Sequence, residues 1–130
     1  MQMNIQELQM LFREQLPIKI VVLNNQSLGM IRHFQEMYFT SNYAYTKRNT
    51  GYTVPNFSNI ARAYGLASMR YISQNDMPQL QKMLQSQEPC LIEVQLEDAT
   101  YTRPKSVYNL PLSQQEPPLD ALLQETIDKL

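Results

Sequence analysis

At 130 residues the chain is long enough for one domain, or a large part of one, around a buried core. A 43% hydrophobic share with 18% charged residues argues against disorder, and a net charge of -1 predicts no pull toward nucleic acid or an anionic membrane. The single cysteine, Cys90, excludes an intrachain disulfide and fits a reducing, cytoplasmic compartment, while the single histidine, His33, excludes a histidine-based metal cluster.

Asn4 and Glu7 have the spacing of a capping box. Ile5, Leu8, Leu11, Phe12 and Leu16 then recur at helical intervals until Pro17, so a helix is expected from Asn4. Ile18 to Leu23 is an apolar, β-branched run without alternation, the pattern of a parallel strand covered on both faces; it is too short to span a bilayer. No secretory pattern is expected at the start. Asn24 to Gly29 is a polar loop, followed by a helix with Met30, Ile31, Phe34, Met37 and Tyr38 on its apolar side. Phe39 to Val54 shows no period and reads as a loop, free to move or to meet a partner.

After Pro55, Asn56 to Tyr64 reads as a short helix stopped by Gly65 in a left-handed conformation. Met69 to Ile72 is a second strand, and Asp76 is placed to cap a helix carrying Leu80, Met83 and Leu84. Cys90 to Leu96 is a third strand, in which Cys90 is a packed thiol rather than a nucleophile. From Asp98 to Pro118 the prolines predict an extended arm, and Leu119, Leu122, Leu123 and Ile127 mark a last helix. The alternation of strand and helix implies an α/β fold with a parallel sheet flanked by helices. A helix in first position normally follows a strand, so the sheet is expected to be incomplete on its N-terminal side.

Ligands in open α/β sheets sit beyond the carboxyl ends of the strands, where Asn24 to Gly29 falls. Amide oxygens, a backbone carbonyl and the free amides of a helix start suit a hard cation and a phosphate, although an Asn-Asn pair is more often simple turn chemistry. The longer run, Met3-Asn4-Ile5-Gln6-Glu7-Leu8 followed by Leu16 to Met30, resembles the thiamine-diphosphate enzymes and among them the acetolactate synthases. Pro55-Asn56-Phe57, the helix end at Gly65 and the Cys90 to Leu96 strand match in type and order, so the resemblance runs from the start to roughly Leu96.

The resemblance implies a partial three-layer thiamine-diphosphate-binding fold, with residues 1–97 the C-terminal portion of that domain and 98–130 its arm and final helix. It implies Mg²⁺ held by the Asn25 side-chain oxygen and the Ser27 backbone carbonyl. Gln26, Leu28 and Gly29 would line the diphosphate, Met30 would lie along the cofactor, and Phe34 would stand on the substrate side where many acetolactate synthases carry Trp. Gln2 and Met3 would approach the cofactor too, whereas His33 fits a surface or packing role and the tyrosines from Tyr38 to Tyr52 a lid, a subunit contact or a solvated loop. No catalytic residue is assigned to this chain.

The family's Gly-Asp-Gly triplet, aligned on Asn25, falls just before Met1, so the chain alone is expected to hold the cofactor weakly and to be inactive. FAD, where such enzymes use it, binds in domains absent here. The implied chemistry is decarboxylation of a small 2-oxo acid with acyl transfer, in a homo-oligomer with no nucleic-acid or membrane partner. The arm from Tyr101 to Asn109 lacks the family's Met-Pro segment, which leaves a thiamine-diphosphate lyase, oxidase or decarboxylase as an alternative. A non-catalytic α/β module used for binding or assembly is the rival from another class.

Overall fold

The apolar run after Pro17 forms β1 (Lys19–Asn24), which pairs in parallel with β3 (Cys90–Gln95); β2 (Ala67–Tyr71) pairs in parallel with the other side of β3. A computed structural model describes residues 2–98 (the Gln2 side chain excepted), 100, 102–111, 114–127 and 129. It divides into two units, Met1–Thr100 and Tyr101–Leu130, each taken by itself. The first unit holds the sheet, in the order β1-β3-β2, together with α1 (Glu7–Arg13), α2 (Gly29–Tyr38), α3 (Phe57–Ala63) and α4 (Met77–Gln85). This is the α/β architecture that the alternating pattern predicts.

The core has one cluster on each face of the central strand, because alternate residues of a strand point to opposite faces. Leu91 meets Leu8 and Leu11 of α1, Phe57 and Ala61 of α3, and Leu66, with Ile20 and Val22 of β1 packed alongside. Cys90 and Ile92 point the other way, with Met69, and Leu80 and Met83 of α4 close that side. Leu91 and Ile92 are both 0% exposed; burying each side chain contributes about 1.5–3 kcal/mol. Burial pushes the Cys90 thiol up, against the opposing charge of Lys19, which suits a packed residue.

Coverage of β1 differs from the expectation. Ile20 and Val22 are packed, but Val21 is 50% and Leu23 66% exposed. The reason is that the cluster closed by α4 takes its strand residues from β2 and β3, leaving one face of β1 bare. The Asn4–Glu7 box does not form either. Gln2–Asn4 is a 3-10 turn, and the helix starts at Glu7 with Gln6 as its N-cap, two residues beyond Asn4.

Gly65 is left-handed at φ 81°, as expected, and Asn56 caps α3 by accepting the Asn59 amide at 2.8 Å. Asp76 stands at the start of α4, yet its carboxylate turns back and accepts the amides of Ile72 and Ser73 at 2.8 and 2.9 Å. Those two donors hold its carboxyl below the usual carboxylate range. The segment from Phe39 to Val54 has only a 3-10 turn, Arg48–Thr50, but it is tied down. Buried Thr46 donates to Gln35 Oε1 at 2.6 Å, Tyr43 donates to Glu36 at 2.6 Å, and the Leu28 amide donates to the Thr46 carbonyl at 3.0 Å.

In the second unit the arm doubles back instead of running on. β4 (Lys105–Ser106) pairs antiparallel with β5 (Gln115–Glu116), with Lys105 and Glu116 3.2 Å apart across the ladder. The final helix, α5 (Ala121–Ile127), begins after Asp120, whose carboxylate accepts the Leu123 amide at 2.9 Å. Tyr101, at the head of the arm, lies outside the described residues. Among the described residues no helix is long and apolar enough to cross a membrane.

Candidate functional site

β1 ends on Asn24, a buried residue whose side chain works at both ends. Its amide nitrogen donates to Glu93 Oε1 at 2.7 Å, and its oxygen accepts the Gln26 backbone N–H at 2.9 Å. The second bond is an Asx turn, the local competitor to continued strand that asparagine is chemically suited to make. It lets Gln26 sit at φ 54°, a left-handed conformation that a non-glycine residue holds only when its surroundings enforce it. Asn25 repeats the turn one step later, accepting the Ser27 N–H at a long 3.3 Å. Two overlapping turns therefore swing the chain from the sheet into α2.

The loop delivers the start of a ten-residue helix, with Leu28 at its N-cap, no side-chain cap and no acidic residue in its first turn. Uncapped amides there carry a partial positive charge and favour an anion. Ser27 Oγ is buried with no hydrogen-bond partner. At Gly29, an added Cβ would stand 3.1 Å from Asn25 Nδ2, so a side chain would crowd the loop. Among the described residues no group of three or more His, Cys, Asp or Glu side chains converges as a metal site. Asn25 and Ser27 would offer only neutral amide and carbonyl oxygens, a set that suits Mg²⁺ when a diphosphate supplies the charge. The residues present thus fit the metal and the diphosphate that the sequence implies.

The other expected positions are less gathered. Met30 is 86% exposed on the first turn of α2. Phe34 lies one turn on and packs its ring on Tyr38 and Phe39, with centroids 4.7 and 5.8 Å away. Met3 is exposed, and the Gln2 side chain lies outside the described residues. Arg32 of the same helix is buried and bonds Glu36 at 3.3 Å and Asp98 at 3.2 Å, anchoring α2 to the chain beyond β3.

Sequence reading missed what lies behind the loop. A cavity of about 250 Å³ opens at the carboxyl end of the sheet, lined by Asn24, Gln26, Arg48, Tyr52, Asn56, Arg70 and Glu93 among others. Glu93 is 1% exposed in the middle of β3. Besides Asn24, it accepts the Ser58 amide at 3.1 Å near the start of α3, and Arg70 Nε stands 3.6 Å away. One signal was available. A carboxylate inside an otherwise apolar central strand must find partners, because an unpaired buried charge is costly.

Comparison with known proteins identifies the family. Residues 1–94 match the family described as "Thiamine pyrophosphate enzyme, C-terminal TPP binding domain". The acetolactate synthase isozyme 2 large subunit of Escherichia coli (strain K12) is 38% identical over 98 residues, which cover 74% of this chain and 17% of that protein. Acetolactate synthase 1, chloroplastic, of Zea mays is 34% identical over 97 residues, covering 71% and 15% respectively. Among solved structures, the thiamine diphosphate-dependent 4-hydroxybenzoylformate decarboxylase of Rhodococcus jostii RHA1 superposes with a TM-score of 0.60 at 26% identity, covering 72% of this chain and 17% of that one. The chain spans about a sixth of the length of these relatives. With that match over most of its length, the chain belongs to the C-terminal cofactor-binding domain family of the thiamine pyrophosphate enzymes.

Proposed function

We propose that the Asn24–Gly29 loop holds the Mg²⁺ and diphosphate end of thiamine diphosphate in an enzyme resembling acetolactate synthase. One observation carries the reading: in a member of this cofactor-binding family, the loop meets an uncapped helix start beside the orphaned Ser27 hydroxyl. Asn25 would supply its side-chain oxygen to the metal and Ser27 its backbone carbonyl. The first amides of α2 would face the diphosphate, with Gln26, Leu28 and Gly29 shaping the cradle and Met30 and Phe34 extending along the cofactor and substrate sides. When bound, the cofactor supplies the carbanion stabilisation that decarboxylation of a 2-oxo acid requires. This chain's residues bind and orient it.

The wider activity belongs to the same proposal: a small 2-oxo acid as substrate, acyl transfer to an acceptor, association with further copies of the chain, and a cytoplasmic setting. FAD would bind outside this domain. The named decarboxylase among the structural neighbours supports a second reading, in which the enzyme releases its product without acyl transfer. Assay of the products that the whole enzyme forms from pyruvate separates the two, since transfer gives a longer 2-hydroxy-3-oxo acid and release gives an aldehyde.

Calorimetric titration of the chain with Mg²⁺ and thiamine diphosphate tests the loop. The neutral oxygens should give weak, Mg²⁺-dependent binding that Asn25→Ala abolishes. Binding near 1 μM, about -8 kcal/mol, would show that the neutral set needs no carboxylate. Binding indifferent to Mg²⁺ or to Asn25→Ala would remove the loop from the site.

A further inference from the structure

We infer that Glu93 is a positioning residue, which sets the Asn24–Gly29 loop from behind without touching what the loop binds. The inference rests on the cofactor-loop reading for its consequence, but its mechanism lies wholly in this chain. Glu93 is fixed from two directions: its Oε2 accepts the Ser58 amide at 3.1 Å, and Arg70 Nε lies 3.6 Å from the same oxygen. Its Oε1 is then aimed at Asn24 Nδ2, 2.7 Å away. With that nitrogen held, the Asn24 oxygen can face only one way, toward the Gln26 N–H at 2.9 Å.

A second path confirms Asn24 as the hinge point. Arg70 Nη2 donates to Gln95 Oε1 at 2.8 Å, and Gln95 Nε2 donates to the Asn24 carbonyl at 3.3 Å. Arg70 therefore braces two side chains that reach Asn24, those of Glu93 and Gln95, while the Leu96 amide also donates to the Asn24 carbonyl at 2.9 Å. The relay ends on Gln26, whose left-handed φ of 54° needs outside support to persist. Gln26 is followed directly by Ser27, and preceded by Asn25, the two proposed metal ligands. Through Asn24, a buried carboxylate in the central strand decides where those oxygens point.

Glu93→Gln tests this, because a glutamine has one acceptor where two donors converge. It can satisfy Asn24 or Ser58, but its own N–H then opposes the other donor. In the cofactor-free chain, amide hydrogen exchange at Gln26 should speed up about tenfold or more, while Leu91 and Ile92 in the sheet keep their protection. The dissociation constant for thiamine diphosphate with Mg²⁺ should rise by a similar factor. Asn24→Ala should reproduce the Gln26 effect and stands in if Glu93→Gln fails to fold. Adding it to Glu93→Gln should cost little more, as expected for links of one relay.

Unchanged exchange at Gln26, or a rise matched at Leu91 and Ile92, would overturn the inference, since the latter is mere loss of stability. A wild-type chain that binds no cofactor would instead sink the cofactor reading, and the exchange result alone would then decide the relay.

Discussion

Replacing Gly29 by alanine should move binding and stability in opposite directions. The residue is the first of α2 and is not left-handed, so its backbone does not demand glycine. Alanine there restricts the unfolded chain and should stabilise the fold by about 0.4–1 kcal/mol. The new Cβ, however, would lie 3.1 Å from Asn25 Nδ2, closer than such atoms normally come. The Asn25 amide must yield by a few tenths of an ångström, and the oxygen on that amide is the proposed metal ligand. If a displacement of about 1 Å costs about 100-fold in rate, a third of it, carried over to binding, costs roughly fivefold in affinity. Urea unfolding and calorimetric titration with Mg²⁺ and thiamine diphosphate read the two effects on one sample. A variant that loses both stability and affinity would show that Gly29 serves packing. Unchanged affinity beside a damaging Asn25→Ala would show that the amide has room to move.

Gly65→Ala should behave differently, because that residue is left-handed at φ 81° and an added Cβ would lie 2.7–3.0 Å from three carbons of the Phe12 ring. The backbone costs about 1–2 kcal/mol, and the partly exposed ring can swing aside, so urea unfolding should show a loss of about 2 kcal/mol. Asp76 should contribute to acid sensitivity. Its carboxyl is held below 3.8 in the fold by two backbone amides, so its stabilising effect is present above about pH 4 and lost as pH falls through the depressed value. The gap in urea midpoint between wild type and Asp76→Asn should therefore close on acidification; a gap constant from pH 7 to pH 2 would refute the assignment.

The parts of the fold written in local pattern were legible. Ile18 to Leu23 announced β1, and Gly65 and Asn56 marked the ends of α3, because each follows from a residue's own conformational preference. The polar loop stood out because it interrupts apolar runs. Where two local arrangements compete, spacing alone failed: Asn4 and Glu7 have the right interval but a 3-10 turn takes Asn4, and Asp76 faces back to Ser73. The bare side of β1 was hidden since Val21 and Leu23 are no less apolar than Ile20 and Val22; what differs is which helix reaches them. The Glu93 relay was hidden for a stronger reason. Its partners lie 69 and 35 residues away, and no single sequence reports contacts at that distance.

Asn24 carries a further consequence, one of chemical ageing. Spontaneous hydrolysis of its amide would exchange a donor for an acceptor at the one atom that faces Glu93, 2.7 Å away. Two acceptor oxygens at that separation have no donor between them and repel. A change of one functional group, invisible in size and shape, would thus turn the strongest link behind the loop into a repulsion. Stored protein should lose its loop order in step with deamidation at this residue, while the sheet around Leu91 endures.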